Sequence, residues 1–175
     1  MRFLPILAIT SSILSLVCYP GIGVAQEAPK PQYSLKEEEP RLGTNIRKNQ
    51  LTGPRIALNL PYAQLAPEEK DSLRSWWEGI PDSDEPPFPA EGLRALYDPL
   101  RKAHNALSDP GNLFAVATVG PDGKVIEAKV FEAPSKTMAT FAAKLLLLTT
   151  FKPALCSGQP CRMDFPLRMT FTTSR

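Results

Sequence analysis

Histidine is nearly missing from this chain: His104 stands alone among 175 residues, so a multi-histidine metal site cannot be built. Charge of one sign is missing too. Lys plus Arg number 20 and Asp plus Glu 18, for a net charge of +2. That balance lacks the basic footprint needed to bind nucleic acid or an anionic lipid surface. No unbroken apolar run reaches the roughly 20 residues of a membrane span; the most apolar stretch, near the start, is interrupted by Pro5 and Pro20. Serine, aspartate and His104 are present. A Gly-x-Ser-x-Gly elbow, a Cys–His dyad motif, a phosphate loop and metal-ligand spacing are not, so neither an enzyme nor a cofactor is expected. Proline is abundant, at 19 residues, roughly twice its average usage. The overall composition is that of a globular chain of one-domain length.

Residues 1–25 read as an address. Arg2 opens them, an apolar stretch follows to Val17, and Gly23-Val24-Ala25 puts small residues before Gln26. A positive start, an apolar centre and small residues at −3 and −1 form a secretory signal. An uncleaved anchor is the alternative. Val17 before Cys18 fits an acylation site poorly. Cleavage after Ala25 removes Cys18 and leaves Cys156 and Cys161, an even pair that predicts one disulfide in an oxidising compartment. A redox pair would want a thiolate at a helix N-terminus, whereas these cysteines flank a hairpin turn. The expected location is the periplasm.

Residues 26–60 carry charges and turn formers without periodicity and read as a flexible tether. Residues 61–107 read as a helical segment. Pro67 suits a first helical position, Glu68 and Glu69 favour the helix dipole, Gly79 ends the helix, and Leu73, Trp76, Trp77 and Ile80 lie at helical spacing on one apolar face. Asp82 to Pro89 reads as a stiff, solvated acidic turn. A second helix over about 90–107 is interrupted by Pro99, which predicts a kink, or two abutting helices with Asp98 as a new N-cap. His104 lies beside its apolar stripe, where a partly buried, hydrogen-bonded ring is expected.

Residues 108–175 are the best patterned. Leu113 to Val119 is rich in strand formers, Gly120-Pro121-Asp122-Gly123 is a tight turn, and Lys124 to Glu132 is the return strand, with Ile126, Ala128 and Val130 sharing a face. Pro134 and Ser135 start a helix with Met138, Phe141, Ala142, Leu145 and Leu148 on one side. From 162 onward the chain alternates: Met163, Phe165, Leu167, Met169 and Phe171 face a core, and Arg162, Asp164, Pro166, Arg168, Thr170 and Thr172 face water. Pro166 cannot donate to a ladder, so one side of this strand is an edge, and an edge is a template for an added strand. The fold class read from this order is α+β: a small antiparallel β-β-α-β sheet preceded by two helical segments.

Three groups of residues then carry a resemblance: Pro87-Phe88-Pro89 before a helix, Val119-Gly120-Pro121-Asp122-Gly123-Lys124-Val125 at the hairpin, and Phe151-Lys152-Pro153-Ala154 with Gly158-Gln159-Pro160 before the last strand. Together they resemble, over about residues 86–172, the C-terminal domain of TonB-family energy transducers. The resemblance implies a periplasmic sheet whose last strand pairs with the TonB box, an extended peptide of an outer-membrane transporter. The pairing edge would then carry Arg162, Asp164, Arg168, Thr170 and Thr172. A full transducer also has a histidine in its membrane helix and a long Pro-rich spacer. Residues 1–25 contain no histidine, and the spacer here is short. The expected function is therefore a TonB-like protein-binding module. The alternatives are a membrane-anchored transducer, with membrane contact only if residues 1–25 are retained, and a structural module that pairs with its own copy as a homodimer.

Overall fold

The computed structural model describes residues 32–35 and 56–172. The first element, β1 (Gln32–Leu35), lies inside the expected tether and is instead a strand. After a single 3-10 turn at Tyr62–Gln64 come α1 (Pro67–Arg74), β2 (Phe88–Pro89) and α2 (Arg94–Leu107). The hairpin β3 (Gly111–Val119) and β4 (Val125–Glu132) follows, then α3 (Lys136–Leu148). Short strands β5 (Phe151–Lys152), β6 (Ala154–Cys156) and β7 (Gln159–Cys161) lead to β8 (Met163–Phe171). The protein is mixed α and β, with three α-helices among the described residues and mostly antiparallel sheets.

The main sheet runs β1-β4-β3-β8. It is antiparallel except at β1, which lies parallel to β4. Strand β3 is central and buried on both faces from Leu113 to Val119, which is why its sequence is a nearly continuous apolar run rather than an alternation. Leu113, Ala115, Ala117 and Val119 share a face with Phe165, Leu167 and Phe171 of β8, and α2 and α3 pack on that side. One buried cluster extends from Tyr62 and Leu73 through Leu96 and Leu100 to Phe165 and Phe171. The two expected segments, 61–107 and 108–175, thus share a core.

Two bulges overturn the expected facing of β4. Thr118 pairs with Glu127 but Val119 pairs with Val125, so Ile126 is an extra residue. An extra residue flips the alternation beyond it, and Val125 is buried beside Ala128 and Val130 while Ile126 is exposed. A second shift, between Phe114 and Ala115, leaves Phe131 unpaired and stacked 5.4 Å from Phe114.

The helices need similar correction. Helix α1 stops at Arg74, so Trp76 and Trp77 lie in the turn beyond it. There Arg74 donates to the carbonyls of Pro81, Asp82 and Asp84, which gathers the chain back before a helix reaches Gly79. Helix α2 is continuous across Pro99, and Asp98 caps nothing: it pairs within the helix with Arg94 and Arg101. Helix α3 does start at Ser135, whose Oγ accepts the Met138 N–H at 3.2 Å. Its buried side is Met138, Ala139, Ala142, Ala143 and Leu146, while Phe141 is exposed and Leu148 is 85% exposed. Small alanines let the helix lie close to the sheet, and the run of four leucines had masked that stripe.

Candidate functional site: the outer edge of β8

Among the described residues, β8 is hydrogen-bonded to β3 on one side and to no strand on the other. In an antiparallel pair, successive residues point their backbone groups alternately toward and away from the neighbour. Pro166, without an N–H, falls on the outward set. The carbonyls of Asp164, Arg168 and Thr172 share its parity; the first two accept from side chains elsewhere, and the third is faced by a ring nitrogen of His104. Trp77 donates its indole N–H to the Asp164 carbonyl at 2.9 Å. Tyr97 donates its hydroxyl to the Arg168 carbonyl at 3.4 Å. His104 Nε2 lies 3.4 Å from the Thr172 carbonyl.

The three aromatic residues are placed by the segment before the sheet. Trp77 is 5% exposed, in the turn made when α1 ends, beside Trp76, whose ring lies 6.3 Å from Phe165. Tyr97 and His104 are seven residues apart on α2, on the side facing β8. Burial pushes the Tyr97 hydroxyl up to about 12, so it stays a proton donor throughout the physiological range. His104 stacks on Phe171 at 4.9 Å, and its Nδ1 lies 3.0 Å from the Asp109 carbonyl. A neutral imidazole has one N–H, so it donates to only one of its two carbonyl neighbours.

The side chains expected on the water face of β8 mostly turn to β3. Thr118 donates to the Asp164 carboxylate at 2.6 Å. The Arg168 guanidinium covers the Phe114 ring at 4.0 Å; burial lowers its pKa, and Glu132 opposes that shift. Thr170 donates to Asn112 at 3.1 Å. Each is the register partner across the ladder, and such pairs set strand alignment. Pro166 is buried rather than solvated. Arg162 and Thr172 are exposed. At the C-terminal end of the edge, Arg101, His104, Asn105, Met169 and Thr170 help to line a groove of about 600 Å³.

Several motif residues meet at the Phe151–Ala154 segment, whose Phe151 ring lies 5.2 Å from Phe165 of β8. Phe88 and Pro89 pair with Lys152 and Phe151, and Glu85 bridges Leu155, so the Pro-Phe-Pro segment runs antiparallel to Phe151-Lys152-Pro153-Ala154. Gly123 of the hairpin accepts the Phe151 N–H at 2.9 Å. Lys152 pairs with Glu85 at 2.8 Å and lies 4.5 Å over the Tyr62 ring. Cys156 and Cys161 form a disulfide with Cα atoms 5.8 Å apart, closing the β6–β7 hairpin that contains Gly158 and Pro160. The acidic turn is not simply solvated. Asp84 is 8% exposed, and its carboxylate accepts the Ser157 N–H at 2.8 Å. Sequence reasoning missed Trp77 and Tyr97 as edge residues. Their spacing signalled only helical faces, and what they touch is set by tertiary packing.

Among the described residues, no group of three metal-ligating side chains comes together, and no helix is long and apolar enough to cross a membrane. Comparison with protein-family models, curated proteins and solved structures returned no match for this chain.

Proposed function

We propose that this protein is a periplasmic binding module that takes up an extended peptide as an added strand on the outer edge of β8. The observation that carries the reading is a nine-residue strand that, among the described residues, has a strand partner on one side only. Main-chain hydrogen bonds give such an addition its affinity, and alternate side chains give it specificity. The TonB-like residues point to the TonB box of an outer-membrane transporter as the peptide. The convergence of Pro87-Phe88-Pro89, Gly123 and Phe151-Lys152-Pro153-Ala154 on one sheet end supports treating them as one unit. The Cys156–Cys161 disulfide agrees with an oxidising compartment, as does the leader-like start of the sequence.

The test is an amide-shift titration of the isotopically labelled chain with synthetic TonB-box peptides. Shifts concentrated at 163–172, with new amide protection there, are expected. Binding that perturbs only other surfaces, or no binding at millimolar peptide, would sink the proposal. Mass spectrometry of periplasmic and membrane fractions separates this reading from an anchored transducer: a soluble chain beginning at Gln26 is expected.

A further inference from the structure

Strand addition at β8 has an obstacle. A carbonyl that accepts from an indole or a phenol is less available to an incoming strand, and the groups that donate belong to bulky side chains lying on the edge itself. The donors come from two different pieces of chain, the turn after α1 and the helix α2. The carbonyls these side chains face are four residues apart in each step, Asp164, Arg168 and Thr172, so they span nearly the whole strand. Between the first two sits Pro166, which offers an incoming strand no donor.

We infer that Trp77, Tyr97 and His104 form a latch over the outer edge of β8, and that a peptide is admitted only after α2 and the Trp76–Trp77 turn move off that edge. The inference rests on the strand-addition reading and adds its regulation. The latch is graded. Its bond at Asp164 is 2.9 Å and that at Arg168 is 3.4 Å, where hydrogen bonds are weak; at Thr172 the His104 Nε2 stands 3.4 Å away while Nδ1 lies nearer, 3.0 Å, to the Asp109 carbonyl. The groove beside His104, Met169 and Thr170 lies at this loose end. An incoming chain would therefore engage the Thr172 end first and displace Trp77 last. When the binding-competent form is the minor one, apparent affinity falls by its fractional population; each clip removed should raise that population.

The experiment pairs amide hydrogen exchange with peptide titration on the full chain and three variants: Trp77→Phe, Tyr97→Phe and the double variant. Both changes keep an aromatic ring and delete one donor. From the net worth of a hydrogen bond, the open population should rise about fivefold for Trp77→Phe, about twofold for Tyr97→Phe and about tenfold for the pair. Exchange in α2 and at the Trp76–Trp77 turn should accelerate by those factors while α3 is unchanged. The dissociation constant of a synthetic TonB-box peptide should fall by the same factors. Acceleration spread equally over α3, or none in α2 and the turn, overturns the latch. Equal peptide affinity at β8 in all four proteins also overturns it and leaves strand addition standing. Weaker binding by the variants overturns it as well, since it would make these rings part of the peptide contact. Binding by none of the four overturns strand addition, and the latch with it.

Discussion

Two tight hairpins among the described residues place a glycine at the same backbone angle in opposite surroundings. Gly123 closes β3–β4 and Gly158 closes β6–β7, each with φ at +78°. The first hairpin has a three-residue loop, Pro121-Asp122-Gly123, with the left-handed residue last; Gly120 donates to Lys124 across it at 2.8 Å. The second has a two-residue loop, Ser157-Gly158, with positive φ at both positions, the geometry that suits the twist of paired strands. Around Gly158 there is nothing within 4 Å of where a Cβ would stand, while at Gly123 a Cβ would land on the Phe151 carbonyl oxygen. The first hairpin is fixed by what packs against its glycine, the second by its own covalent closure together with the Asp84 carboxylate on the Ser157 N–H. The same angle is thus a modest local preference in one turn and a tertiary requirement in the other.

Gly123→Ala should separate the two cases most sharply. Backbone strain adds to a clash with main chain that cannot swing aside, and a loss of about 3 kcal/mol or more is expected in urea denaturation. A loss under about 1 kcal/mol would mean that the two turns are equivalent. Replacing Cys156 and Cys161 together by serine should cost about 2 kcal/mol, as the chain-entropy model gives for so short a loop, and the β3–β4 amides should keep their protection against exchange relative to α3. Asp84→Ala removes the acceptor of the Ser157 N–H and should cost about 1–2 kcal/mol, with the largest shift changes in β6–β7. Gly158→Ala should be mildest, about 1 kcal/mol. A greater loss than at Gly123 would reverse the comparison.

What the sequence revealed follows the same division. The β3–β4 hairpin, the Ser135 cap and the cysteine pair are specified by neighbours in sequence, and all three stand in the structure. The facing of β4 was misread because one bulged residue, Ile126, inverts the alternation, and nothing in Val-Ile-Glu-Ala marks which residue is extra. The buried side of α3 was misread because leucines outrank alanines by hydrophobicity, although close helix–sheet contact selects the alanines. At the edge of β8, Pro166 announced an unpaired side. The side chains that lie against it, Trp77, Tyr97 and His104, are more than 60 residues in sequence from the carbonyls they face and could not be read from local pattern.

Pro166 also bears on solubility. A long, regular strand edge recruits copies of itself, and fibrillar stacking needs an unbroken ladder of donors. With no N–H near its middle, β8 offers a copy two short runs of rungs in place of one long one. A single designated peptide can compensate for the missing rung with its own side chains. An indefinite stack of identical chains would meet the same gap at every layer, so Pro166 disfavours self-stacking along β8 even when the edge is uncovered.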